Sequence, residues 1–232
     1  MDFQDARQAL RDRQAALSGE IPVRRVVTKT SGGRPIDVPG GEIHHWRGAA
    51  FIPGMKLETL LNRLENPTPM DTRQEDVLES AVLEKEPGRL KLYLKLQRSK
   101  IVTVRYNTEH LVQYRRYGKE RASSSSVATK IAEIEHFGGG TEQEKPEGRD
   151  RGFLWRMNSY WRYQEMNGGV LVECESMTLS RSIPPVVEYI ARPIINRIAR
   201  ESMQRTLGSL RGRMAKTRST DYAAMPGGRN PM

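Results

Sequence analysis

The sequence predicts an α+β protein in which a curved antiparallel sheet is crossed by one long C-terminal helix. Three observations carry that expectation. Leu90, Leu92, Leu94 and Leu96 alternate with Lys91, Tyr93, Lys95 and Gln97, the cleanest period of two in the chain and the mark of a half-buried antiparallel strand. Asn167-Gly168 separates two strand-like runs, which is the strongest short hairpin signal. After Pro184-Pro185, apolar residues recur every three to four positions: Val187, Ile190, Ile194 and Ile198, then Met203, Leu207, Leu210 and Met214. A twisted sheet has one face to bury, and a single helix with one apolar stripe is the economical cover. One helix does not seal a strongly curved sheet completely. A cavity between them is therefore expected, mostly apolar with a few polar groups.

The elements follow in order. Residues 2–18 read as a short helix, capped by Asp2, striped by Phe3, Ala6, Leu10 and Leu17, and stopped at Gly19. Residues 20–41 hold Val23, Val26 and Val27 among glycines and prolines, which punctuate any strand there. GEIHHWRGAAFIPG reads as a strand ending at Pro53-Gly54. LETLLNRLENP places Leu57, Leu60, Leu61 and Leu64 at helical spacing, and Pro67 ends that helix. PTPMDTRQED is a turn-rich link. VLESAVLEKE and RLKLYLKLQ form a hairpin about Glu86-Pro87-Gly88. VTVRYNTEHLVQYRRY and SSSSVATKIAEIEH are two more strands, and FGGGTEQEKPEGRDRG is a long polar loop. FLWRMNSYWRYQEM and GVLVECESMTLSR close the sheet. Pro185 fits the first turn of the last helix, Pro193 is expected to kink or split it, and the residues after Lys216 bury too little apolar area to fold. Residues 1–37 form an N-terminal helix and extension, 38–216 the main domain, and 217–232 a disordered tail.

Charge and composition exclude several functions. The chain has 232 residues and a formal charge of +10, and the last 42 residues hold nine basic and two acidic groups with one aromatic, Tyr222. A nucleic-acid binder usually carries its excess on a folded face interleaved with aromatics, so a specific nucleic acid is not expected. A solvated helix face and tail is the plainer reading, and contact with an anionic membrane or partner the functional one. A single cysteine, Cys174, excludes an internal disulfide and a cysteine-caged metal. No run approaches the roughly 18–20 apolar residues of a membrane helix, and the first ten residues lack the apolar core of a signal peptide. The chain as given reads as cytoplasmic, and as periplasmic if its precursor is longer.

The two-residue turn registers the last hairpin. Trp161 should oppose Cys174, Tyr163 Val172, Ser159 Ser176, and Met157 Thr178. On the opposite face Arg162 should meet Glu173 and Tyr160 should meet Glu175, cross-strand pairs suited to a wet surface. Trp155, Met157, Trp161, Tyr163, Val172 and Cys174 are then the inward set. Ile194 and Ile198 face them from the helix. Each side chain taken singly also suits plain core packing.

Searches for reactive chemistry return little. His44 and His45 point to opposite faces of a strand and do not share a metal, and His110 and His136 are isolated. No nucleophile elbow and no phosphate-binding loop is present. Glu173 and Glu175, with Tyr160, are the one carboxylate group suited to general acid–base work, and their cross-strand partners favour a structural role. No catalytic residue, metal or cofactor is assigned.

GGEIHHWRGAAFIPG, IVTVRYNTEHLVQYRRY, ATKIAEIEH, RGFLWRMNSYWRYQEMNGGVLVECESMTLSRSIP and ARESMQRTLGSLR resemble an uncharacterised bacterial family of the START-like (SRPBCC) superfamily, the helix-grip proteins. The likeness spans about residues 38–212. It implies six to seven strands gripping the C-terminal helix around a hydrophobic cavity, and it adds His44 and Trp46 as cavity residues on one face with Ala50. Relatives bind hydrophobic small molecules, cyclise polyketides or act as co-chaperones, and no cyclase motif maps onto this chain. The leading expectation is non-catalytic binding or transport of a lipid-like molecule. The alternatives are an interaction module using the basic C-terminal helix, and a cyclase- or hydrolase-like enzyme.

Overall fold

The computed structural model describes residues 6–68, 76–99, 103–135, 140–183 and 185–223. The cap at Asp2, the stripe residue Phe3, His136 and most of the link before residue 76 lie outside them.

The chain runs α1 (Ala6–Leu17), β1 (Val23–Arg25), β2 (Gly41–Pro53), α2 (Leu57–Glu65), β3 (Val77–Glu86), β4 (Arg89–Ser99), β5 (Thr103–Arg116), β6 (Arg121–Glu135), β7 (Gln143–Glu144), β8 (Arg156–Met166), β9 (Gly169–Arg181) and α3 (Pro185–Ala223). The strands form one antiparallel sheet in the order β1-β2-β9-β8-β6-β5-β4-β3, with β7 paired to β6. Among the described residues the sheet has nine strands rather than six or seven. The difference is β1 and β7, three and two residues long, which carry too few positions to show a period. β7 lies inside the segment read from sequence as loop.

The hairpin β8–β9 has the register that its turn demands, Trp161 on Cys174 and Tyr163 on Val172. Asn167 and Gly168 have φ of 51° and 72°, a pair of positive values that matches the twist of the flanking strands. β3 lies at the sheet edge with bulges beside Val77 and Val82, irregularities that blunt edge pairing.

α3 closes the seam of the curled sheet. On one side Leu207 and Met203 approach Gly48 of β2, where an added Cβ would lie 2.7 Å and 2.9 Å from them. On the other, Ser202 and Arg205 reach Arg98 of β4 and Asp76 just before β3. α3 is not split at Pro193, since losing one backbone bond does not end a helix that packs further along. It also runs past Lys216 to Ala223, because no glycine or proline lies between Gly212 and Pro226.

The two halves of α3 differ. Met203, Leu207, Leu210 and Met214 are buried, while Ile194 and Ile198 are half-buried. Val186, Tyr189 and Ile190 are 94%, 92% and 69% exposed. The apolar stripe is therefore continuous in sequence and buried only in its second half.

Candidate ligand-binding site

α2 sits at one end of the interior. Leu57, Leu60 and Leu61 are buried, and Glu165 of β8 accepts the Leu57 N–H at 2.8 Å. That hydrogen bond, with Lys56 at 2.9 Å, holds the Glu165 carboxyl below its usual range and satisfies an orphan donor of the first turn. These leucines join Trp46, Ala50, Ile52, Tyr163, Val172 and Cys174 in a cluster closed by the second half of α3. A second cluster, Leu96, Val104 and Tyr106, lies elsewhere on the same face with Leu94, Ile131 and Met157 packed on it.

Between the clusters the inner face is polar. Trp46 of β2 pairs with Ser176 of β9, Ser176 with Ser159 of β8, and Ser159 with Ser126 of β6. This row crosses four adjacent strands. His110 of β5 reaches it through Ser126 Oγ, 3.5 Å from Nδ1. Burial lowers the His110 pKa to about 4, so the ring is neutral. His44 is also held below its ordinary value, chiefly by burial, and contacts Ser180 at 3.0 Å. The Trp46 indole N–H and the Tyr106 hydroxyl are buried without a partner among the described residues.

Each sequence-predicted site residue can now be placed. Trp46, Tyr163, Val172 and Cys174 belong to the first cluster. Tyr163 exchanges a hydrogen bond with Ser124 at 2.9 Å, and burial pushes its hydroxyl and the Cys174 thiol well above their ordinary values. These four are core residues, because α3 descends fully onto that half of the sheet. Trp161 packs against the cluster, and its indole N–H donates to Ser159 at 3.0 Å. Trp155 bonds Asp150 at 3.2 Å. His44, Trp155, Met157, Trp161, Ile194 and Ile198 are all half-buried. Sequence reasoning paired Ser159 with Ser176 on the inward face but passed over Ser126 and His110. The alternation of β5 and β6 placed them on the inner face, but small polar residues give no hydrophobic period to notice.

The outer face departs from the expected wet surface. Glu175 is 6% exposed and takes Arg47 Nε and Nη2 at 3.0 Å and 2.9 Å, with His45 Nε2 at 2.5 Å. Thr28 contacts the other nitrogen of His45 at 3.0 Å. Glu173 takes Arg13 of α1 at 3.2 Å instead of facing only its cross-strand Arg162. The cause is α1 and the extension after it, which lie over β2 and β9 and remove these carboxylates from water. A cavity of about 20 Å³ remains beneath α1, lined by residues including Ala9, Asp12, Arg47 and Glu175. It is the size of one water. Both carboxylates are engaged by cations, which leaves no free pair for acid–base work. Among the described residues no group of histidine, cysteine and carboxylate side chains is placed to hold a metal.

No family model and no curated protein matches the sequence. The structure does match solved ones. A STAR-related lipid transfer protein fragment from Xanthomonas axonopodis is 16% identical, with 82% of this chain and 98% of that one covered and a TM-score of 0.53. Human StAR-related lipid transfer protein 5 is 14% identical, with 92% and 94% covered and a TM-score of 0.53. The aromatase/cyclase Zhui from Streptomyces sp. R1128 is 8% identical, with 75% and 95% covered and a TM-score of 0.51. The chain has the START-like, helix-grip fold. The likeness is one of fold, which this chain shares with the two lipid transfer proteins and the aromatase/cyclase.

Proposed function

We propose that the protein binds and carries a hydrophobic, lipid-like small molecule between the sheet and the first half of α3, without a bond-making step. The observation that carries this reading is the contrast between the two halves of α3: Met203, Leu207, Leu210 and Met214 are packed down, whereas Ile194 and Ile198 of the first half, like Met157 and Trp161 on the inner face of the sheet, stay half-buried. The similar lipid transfer proteins support it as analogy. Burying about 400 Å² of apolar ligand surface would gain about 10 kcal/mol before entropy losses, enough for micromolar binding. Native mass spectrometry of the purified protein should show co-purified hydrophobic mass, and liposomes should donate labelled lipid to it. An apo spectrum together with no lipid uptake would overturn the reading.

A second reading is favoured by Val186, Tyr189 and Ile190, which stand exposed on the first turns of α3, about two turns before the exposed Arg197. An apolar tip with an exposed arginine further along the same helix suits peripheral contact with an anionic membrane. Co-sedimentation with phosphatidylserine vesicles should fall steeply between 50 and about 500 mM salt. Equal recovery with neutral vesicles would argue against it. No helix among the described residues is long and apolar enough to cross a membrane.

A further inference from the structure

We infer that the inner face selects a neutral amphiphile whose alcohol or carbonyl oxygen docks on the Trp46–Ser176–Ser159–Ser126 row, an inference that rests on the carrier function proposed above. The row's hydrogen bonds can be assigned one by one. Thr108 has a single hydroxyl proton and gives it to the Leu94 carbonyl at 3.0 Å. Its oxygen is therefore the acceptor for His110 Nε2 at 3.1 Å. His110 then carries its proton on Nε2, and Nδ1 accepts from Ser126. Ser159 accepts the Trp161 indole N–H and keeps its own proton to give. Trp46 is 7% exposed, and its indole N–H has no acceptor among the described residues. A native protein rarely buries such a donor unpaired. Two donors, from Trp46 and Ser159, thus flank Ser176 in register on neighbouring strands. A ligand oxygen placed at that point completes the set.

Charge narrows the class. His110 is neutral and so is His44, for the same reason of burial. The nearest inward cations, Arg25 and Arg192, already hold Glu42 at 3.2 Å and 3.4 Å. Glu133 is taken by Lys145 and Arg151. Arg98, the inward cation of β4, is likewise taken by Asp76, so among the described residues these inward cations already have carboxylate partners, and a buried anion without a partner is strongly disfavoured. An alcohol or carbonyl has no such requirement, and its hydrocarbon can lie along Met157, Leu94 and Trp161.

The full-length protein is tested with Nile red as a fluorescent reporter of an apolar site, displaced by 1-dodecanol or by dodecanoate at pH 7.5. Dodecanol should displace the dye at a concentration at least about tenfold lower than dodecanoate. Ser159→Ala combined with Ser176→Ala should cut that preference about fivefold, and Trp46→Phe should act in the same direction. Trp46 belongs to the packed cluster with only its indole N–H left without an acceptor among the described residues, so the serine pair, which removes only two hydroxyls, decides the matter if Trp46→Phe does not fold. Nile red bound and displaced equally by alcohol and carboxylate would overturn the inference alone, as would a serine variant with full preference. No dye uptake by the folded protein would instead overturn the carrier function itself.

Discussion

At the scale of single residues, two buried titratable groups are both held deprotonated, Glu175 as a charged carboxylate and His110 as a neutral ring. Burial alone pushes the Glu175 carboxyl up, but hydrogen bonds from His45 and Arg47 outweigh it and hold the group below its ordinary value of 4.5. Its contribution is complete above that value and disappears as pH falls through the lower folded one. Glu175→Gln removes the buried negative charge that takes hydrogen bonds from Arg47 and His45, so urea denaturation at pH 7 should show a loss of about 3 kcal/mol. The gap to the unsubstituted protein should narrow below pH 4.5. His110 loses stability in the same direction, at higher pH, because it must stay neutral instead of charged. Its folded pKa of about 4 lies below the ordinary 6.5, so the unfolded chain takes up the proton first. The stability linked to it is complete above 6.5 and falls as pH drops toward 4. His110→Gln should flatten that part of the stability curve, seen as a smaller shift in urea midpoint between pH 7.5 and about pH 5. The Glu175 arrangement was not legible beforehand. Alternation put Glu173 and Glu175 on the outer face correctly, but nothing local to β9 says that α1 covers it.

At the scale of elements, the contact between α3 and β2 depends on the missing side chain at Gly48. Leu207 is fully buried, and a methyl group at Gly48 would meet Leu207, Met203 and Val23 together. Gly48→Ala should therefore destabilise the fold by about 1–3 kcal/mol, read from chemical denaturation monitored by tryptophan fluorescence. The β8–β9 hairpin was readable because its turn residues dictate both conformation and register. The fate of α3 was not. Val187, Ile190, Ile194 and Ile198 have the same spacing as Met203, Leu207, Leu210 and Met214, and periodicity reports which face is apolar, never what meets it.

At the scale of the whole molecule, the interior is uneven, with two apolar clusters and a polar row between them. Regions with few buried contacts open most easily. Hydrogen exchange read by mass spectrometry should therefore be faster over residues 186–198 of α3 than over 203–214, with β2, β8 and β9 slowest. Equal protection along α3 would show that its first half is docked as firmly as its second. If a ligand lies beneath that half, adding one that displaces Nile red should slow exchange there selectively.

Local rules in the sequence determined the strands with a clear period of two, the hairpin at Asn167-Gly168, both short helices and the apolar stripe of α3, because each follows from neighbouring residues and backbone geometry. Tertiary structure alone decided which carboxylates lose their water, which half of α3 packs down, and that Trp46 and Ser126 extend the Ser159–Ser176 pair into one row. Those outcomes depend on residues from separate elements meeting across a curved sheet, and no local pattern encodes that meeting.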